Sequence, residues 1–269
     1  MTVRAVHVPE SAETAAALVA AGGRVMGGGT VVMPLVNNGG AIEPEWVSLR
    51  RAGLDAIRVS EGTAGIGAAT TLSAIEAHPA LGFLRPAVRS IASPAVRNLA
   101  TVGGNLFVAQ PYGDLAVCLL ALDATCEIAG PGGLRVAAVA DVLTAGIAAG
   151  ELVQAVQVPL PGGGTWYYHK AMRRRLNSAS IVTVAAVAVL ASGVVASVRI
   201  ALGGVAPRPV RAAAAERALV GRPLTHDVLD EAGRAARTDI EPFDDAYASV
   251  WYRTRVLPVH LRRAFLGPD

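Results

Sequence analysis

Apolar positions in this chain come in short runs punctuated by glycine, proline and small polar residues, and the runs change in style along its length. Ser11-Ala-Glu-Thr opens an alanine-rich stretch to Ala21, which predicts a helix with Ser11 as N-cap and a stop at Gly22-Gly23. Residues 24–26 then read as a short strand running into a first glycine cluster. Further strands are expected at 46–49, 57–59 and 65–69. Ser73, with Glu76 three positions on, has the pattern of a capping box at a helix start. Residues 86–100 look helical with an interruption at Pro94 and lead into a second glycine pair. Asp114 is placed to cap an apolar helix over 115–122, and strands follow near 125–128 and 152–158.

Residues 159–164, Pro-Leu-Pro-Gly-Gly-Gly, form the clearest linker and set the expected domain boundary. Beyond it, apolar runs at 181–190 and 194–202 flank Ser192-Gly193. Their β-branched residues and the central turn signal predict two strands joined by a tight turn, not a membrane helix. Helices are expected over 212–219, 227–237 and 248–265, with Pro258 kinking or breaking the last. Strands followed by helices make this part an α+β domain, a sheet with helices on one face.

Composition narrows the reading. The chain has 269 residues, enough for one large domain or two ordinary ones, and with 52% apolar and 17% charged residues it can bury a substantial core. It carries 23 arginines but a single lysine, Lys170, which singles that lysine out. The net charge of +3 is spread along the chain; Arg173, Arg174 and Arg175 form the densest cluster, without interleaved aromatics, so nucleic acid is not an expected partner. Cys118 and Cys126 make no CxxC pair and read as buried thiols in a reducing compartment. The dispersed histidines and two cysteines provide no zinc or iron–sulfur ligand set. With no secretory n-region and h-region, a soluble cytoplasmic protein without membrane insertion is expected.

The two glycine clusters carry the chemistry. The first, Met26-Gly27-Gly28-Gly29-Thr30-Val31, follows a strand, and such a run lets successive backbone N–H groups form an anion-binding nest. The second, Thr101-Val102-Gly103-Gly104-Asn105, adds a hydroxyl and an amide as side-chain donors. Neither supplies the lysine of a Walker loop, and Val32 stands where a Rossmann fingerprint needs its third glycine. Two such loops, about seventy residues apart, can clamp one pyrophosphate from two sides; ordinary surface turns are the competing reading.

Residues 91–106, Ile-Ala-Ser-Pro-Ala-Val-Arg-Asn-Leu-Ala-Thr-Val-Gly-Gly-Asn-Leu, with Pro111-Tyr-Gly-Asp-Leu115 and Leu119-Leu-Ala-Leu-Asp-Ala124, point to a known family. The chain resembles the FAD-binding, or medium, subunit of the molybdenum hydroxylases of the carbon monoxide dehydrogenase and xanthine dehydrogenase types. Gly27-Gly28-Gly29-Thr30 is similar to the family's first FAD loop, and residues 206–212, 215–219, Tyr252-Arg253 and Arg263-Ala264 resemble its C-terminal domain. The resemblance implies an α+β chain in two parts: a two-subdomain FAD-binding domain of the vanillyl-alcohol-oxidase/PCMH type over 1–163 (subdomains about 1–55 and 56–163), then a smaller α+β domain over 164–269. It further implies FAD held by Gly27, Gly28, Gly29, Thr30 and Val31 and by Thr101, Val102, Gly103, Gly104 and Asn105, largely through backbone N–H groups. Asp114 is expected to accept from the cofactor's hydroxyls, against the alternative of plain N-capping. Val153 is expected to lie against the flavin ring, or else to be a strand core residue. Lys170 is expected near the isoalloxazine, where a cation favours the reduced flavin.

Some positions depart from the family pattern. Val31 replaces a serine or aspartate, Gln110-Pro111-Tyr112 replaces Ala-Ser-Pro, and residues 173–178 lack an aspartate. No cysteine-rich insertion is present, so the extra iron–sulfur cluster of some relatives is not expected. By resemblance, the chain is an electron-transfer subunit. An iron–sulfur small subunit with [2Fe-2S] centres and a large subunit with the molybdenum cofactor are its partners, and NAD, a quinone or another acceptor takes the electrons. No catalytic side chain is expected, because the flavin carries the redox chemistry. A free-standing FAD oxidoreductase with its own small substrate and a non-enzymatic scaffold with a vacated FAD site are the alternative readings.

Overall fold

A computed structural model describes residues 5–39, 44–174 and 178–267, so Arg175 of the arginine cluster and residues 175–177 of the 173–178 stretch lie outside the described residues. The strands are β1 (Ala5–His7), β2 (Arg24–Met26), β3 (Glu45–Ser48), β4 (Ile57–Ser60), β5 (Thr63–Gly67) and β6 (Thr125–Gly130), then β7 (Gly133–Ala138), β8 (Leu152–Pro159), β9 (Thr165–Met172), β10 (Ser180–Ala191), β11 (Val194–Gly203) and β12 (Val210–Arg211). The helices are α1 (Ala12–Ala20), α2 (Val32–Asn37), α3 (Leu72–Ala77), α4 (Arg85–Arg89), α5 (Pro94–Arg97) and α6 (Val102–Leu106), then α7 (Asp114–Ala121), α8 (Val139–Ala145), α9 (Ala213–Leu219), α10 (His226–Ala235) and α11 (Val250–Leu266). They form two compact units, each assembled from more than one stretch of chain: residues 1–82, 93–108 and 124–159 make one, and 83–92, 109–123 and 160–269 the other.

In the first unit, β1, β3 and β2 form a parallel sheet in that order. Ala15 and Val19 of α1 pack on Val47 and Leu49 in a small core. Ser11 caps α1 by accepting from Thr14 N–H, as its position in the sequence predicts. The second sheet is antiparallel in the order β4-β5-β8-β6-β7. The helix expected to start at Ser73 is capped instead by Thr71, whose hydroxyl accepts from Ala74 N–H. Ser73 donates to Asn98 Oδ1 at 2.6 Å, a partner 25 positions away that local sequence cannot announce.

In the second unit, β12-β11-β10-β9 form an antiparallel sheet. The turn between β10 and β11 puts Ser192 at φ 51° and Gly193 at φ 81°, the left-handed pair that a two-residue hairpin requires. Alternate residues of β10, Val182, Val184, Ala186 and Ala188, face the core with Leu219 of α9, Leu229 of α10 and Leu257 and Leu261 of α11. The opposite face takes α7: a Cβ on Gly203 of β11 would come within 2.6 Å of Val117. Strand β9, Thr-Trp-Tyr-Tyr-His-Lys-Ala-Met, is absent from the sequence-based reading although its aromatic and β-branched residues suit a strand. α11 runs unbroken through Pro258, contrary to expectation. Leu257, Pro258 and Leu261 are buried, and Gly233 of α10 packs so closely that a Cβ there would overlap Pro258 Cα, so tertiary packing holds the helix across the lost hydrogen bond.

Candidate functional site

In the first unit the two glycine clusters meet. Gly27 and Gly28 pass so close to residues 99–104 that a Cβ on Gly28 would overlap the Leu99 carbonyl, and one on Gly27 would overlap Thr101 Oγ1. Gly29 has φ +70°, conformational space that favours glycine. The run links β2 to α2, with Met33 N–H bonded to the Gly29 carbonyl at 2.8 Å. Among the described residues, none accepts from the N–H groups of Gly28, Gly29, Thr30 or Val31. Val31 is 46% exposed. Beside this loop, Met26, Val32, Met33 and Val36 join Val6 and Trp46 around an apolar cavity of about 240 Å³.

The second cluster is built differently from the open loop expected. Val102–Leu106 is a one-turn helix, and Thr101 caps it by accepting from Gly104 N–H. Its other N–H groups are also engaged: Val102 donates to Thr70 O at 3.0 Å, Gly103 to Ala68 O at 2.9 Å and Asn105 to Thr101 O at 2.8 Å. A nest of free donors over 102–105 is therefore replaced by internal bonds, while the face turned to Gly27 and Gly28 is fixed in place. Below this turn, Thr70 Oγ1 is buried with no partner among the described residues, a polar atom the sequence did not single out. Val153 of β8 is 3% exposed between its sheet neighbours.

In the second unit, Asp114 and Lys170 form a buried ion pair, Nζ to Oδ2 2.8 Å, with side chains only 5% and 4% exposed. Lys170 also donates to Ser90 O at 3.1 Å. The other Asp114 oxygen accepts from Thr183 Oγ1 at 2.6 Å, and Ser180 lies 2.6 Å behind Thr183. Asp114 is not the N-cap expected of it; Gly113, at φ 80°, holds that position, and Asp114 is the first residue inside α7. A carboxylate in that first turn is favoured by the helix dipole. Burial first, and then the Asp114 charge, push the Tyr168 phenol and the Cys118 thiol well above their ordinary ranges. Both thus stay neutral beside the pair. Cys118 and Cys126 are buried free thiols. Thr183, Ser180, Ser90 and Tyr168 escaped the sequence reading; a threonine within the apolar run of β10 was the one visible signal.

These features fit a cofactor carrying phosphates: a run of N–H donors at 28–31 without an acceptor among the described residues, on a loop held in place by close glycine packing against Leu99 and Thr101. Comparison with known proteins agrees. Residues 2–161 match the family described as FAD binding domain in molybdopterin dehydrogenase, and residues 166–267 match the CO dehydrogenase flavoprotein C-terminal domain. The carbon monoxide dehydrogenase medium chain of Afipia carboxidovorans is 32% identical over 96% of this chain and 94% of its own length. The glyceraldehyde dehydrogenase medium chain of Sulfolobus acidocaldarius is 29% identical over 90% of this chain and 89% of its own. Among solved structures, the Hydrogenophaga pseudoflava carbon monoxide dehydrogenase lacking the Mo-pyranopterin moiety of its molybdenum cofactor superposes with a TM-score of 0.92. It is 28% identical and covers 99% of this chain and 97% of the matched one. No described helix is long and apolar enough to cross a membrane.

Proposed function

The chain belongs to the molybdopterin dehydrogenase FAD-binding family, which makes it an FAD-dependent oxidoreductase subunit, and we propose that it carries electrons within a molybdenum hydroxylase complex. In this reading an iron–sulfur small subunit with [2Fe-2S] centres supplies electrons, a large subunit holds the molybdenum cofactor, and NAD, a quinone or another acceptor receives them. The complex is cytoplasmic. The domain boundary falls at 163/164, with the FAD-binding part divided near residue 55.

The observation that carries this reading is the set of N–H groups at Gly28, Gly29, Thr30 and Val31 with no acceptor among the described residues. They are proposed to bind the FAD pyrophosphate, with Gly27 letting the loop close on Thr101. Residues 101–105 hold that loop in place, and the exposed edge at Gly104 lines the same site. Asp114, Val153 and Lys170 are assigned to the cofactor on family resemblance. Two of the three Lys170 N–H donors have acceptors among the described residues, which leaves one for a ligand. When bound, FAD exchanges electrons singly or in pairs, so no side chain of this chain needs to act as acid or base.

An absorption spectrum of the purified full chain, before and after incubation with FAD and removal of excess, tests the assignment. The visible bands of bound oxidised flavin are the expected result. A colourless chain after reconstitution would remove the FAD reading, and recovery of the chain without iron–sulfur or molybdenum partners from its native source would remove the complex.

A further inference from the structure

Thr183 is an anomaly in its strand. Its neighbours in β10 are apolar, it is fully buried, and a valine would fill the same volume. A buried hydroxyl is unfavourable unless it is hydrogen-bonded, so this one needs a polar partner. The register of the sheet supplies the context: Thr183 lies directly opposite Lys170 on β9, and directly opposed residues share one face of the sheet. Both side chains reach the head of α7 and close on the two oxygens of Asp114, Lys170 at 2.8 Å and Thr183 at 2.6 Å.

Hydrogen-bond chemistry fixes the direction of the chain. A carboxylate in an ion pair only accepts, so Thr183 donates to Asp114. With its one hydrogen committed, Thr183 accepts from Ser180, 2.6 Å away and also fully buried. Ser180 is held in turn. The Arg253 guanidinium, with no exposed surface, donates through one nitrogen to the carbonyls of Ser180, Ile181 and Gly204. The sequence of contacts from α11 to β10 to α7 to β9 is continuous and buried throughout.

We propose that Thr183, backed by Ser180, is a positioning residue that holds the Asp114 carboxylate, and through it Lys170, in the arrangement used for FAD. This rests on the assignment of Asp114 and Lys170 to the cofactor. Without the Thr183 hydroxyl, one oxygen of a buried carboxylate loses its donor and the carboxylate can rotate away from the lysine.

The test is a double-mutant cycle read in the FAD dissociation constant of the full chain, by flavin fluorescence titration, with melting curves as folding controls. Thr183→Val is expected to weaken FAD about tenfold, the equivalent of one hydrogen bond to a charged group. Thr183→Ser keeps the donor and should stay within about twofold of wild type. In an Asp114→Ala background, Thr183→Val should add less than about twofold, because the acceptor through which it acts is gone. Independent, multiplicative effects of the two changes would overturn the proposal. So would an unchanged constant for Thr183→Val where Asp114→Ala weakens FAD, which leaves the Asp114 assignment standing. If Asp114→Ala itself binds FAD like wild type, the cofactor assignment of Asp114 falls and the proposal falls with it. Should Asp114→Ala not fold, Ser180→Ala removes only the donor behind Thr183. About threefold weaker FAD is expected there, and no change counts against the relay.

Discussion

Residues 27–31 and 101–105 carry the same glycine signature and lie against each other, yet they handle their backbone donors in opposite ways. In the first run the N–H groups of 28–31 meet no acceptor among the described residues. In the second, the donors of 102–105 are taken by Thr70, Ala68 and Thr101. A glycine cluster thus reports that backbone must come close to something; whether that is a ligand or more backbone depends on which carbonyls lie nearby. Here one run leaves its donors open, and the other is the wall against which that run packs.

Gly28→Ala should break this arrangement most severely. The new Cβ would occupy the space of the Leu99 carbonyl, a backbone group that cannot rotate away as a side chain would. Overpacking of this kind costs about 1–3 kcal/mol, which lowers Tm by about 5 °C in a chain of this size. FAD retention should be lost with it, because the loop no longer closes on Thr101. An alanine variant with wild-type melting and full flavin content would mean that the two clusters do not pack as described.

Thr101→Val separates the two roles more finely. It removes the hydroxyl that accepts from Gly104 N–H and leaves the bonds of Val102, Gly103 and Asn105 intact. Losing such a cap costs about 1 kcal/mol, or roughly 2–4 °C in Tm. If the second cluster is mainly a wall, stability should fall by that amount while FAD affinity changes only a few-fold. A larger loss of affinity than of stability would make Thr101 a direct ligand and erase the distinction between the runs.

Much of this was legible in the sequence, and the exceptions share a cause. The Ser192-Gly193 hairpin, the Ser11 cap and the continuous apolar run of β10 are local patterns, and local patterns survive without a structure. Both glycine clusters were visible for the same reason. Invisible were the pairings across distance: Lys170 with Asp114 56 positions away, Thr183 with Asp114 69 positions away, and Ser73 with Asn98, which left Thr71 to cap its helix. Asp114 illustrates the limit. A carboxylate before an apolar helix reads as a cap, but the glycine ahead of it takes that role and frees the carboxylate for the lysine. Strand β9 was missed despite a favourable composition, and with it the placement of Lys170 opposite Thr183.

Acidification offers the gentlest way to sharpen the comparison, because neither glycine cluster contains a titratable side chain. The second unit does contain a sensitive pair. His169 Nε2 and His260 Nδ1 lie 3.0 Å apart, with ring centroids 5.2 Å apart and planes 20° from parallel. A centroid separation that long places the rings edge to edge, sharing a single hydrogen between facing nitrogens. Burial, then the charges of His169 and Arg263, lower His260 to about 4; burial, then Arg263, lowers His169. Both folded values lie below the ordinary histidine value near 6.5, so the unfolded chain binds protons more readily. Stability is therefore fully present above about pH 6.5 and declines as pH falls toward about 4. Melting curves between pH 7.5 and 5 should show a modest fall in Tm for wild type and a shallower one for the double variant His169→Gln, His260→Gln. FAD should stay bound to the double variant at a pH where wild type begins to release it through unfolding. A wild-type melting temperature that is flat across this range would show that the histidine pair is not the acid-sensitive element, and that any acid release of FAD begins at the site itself.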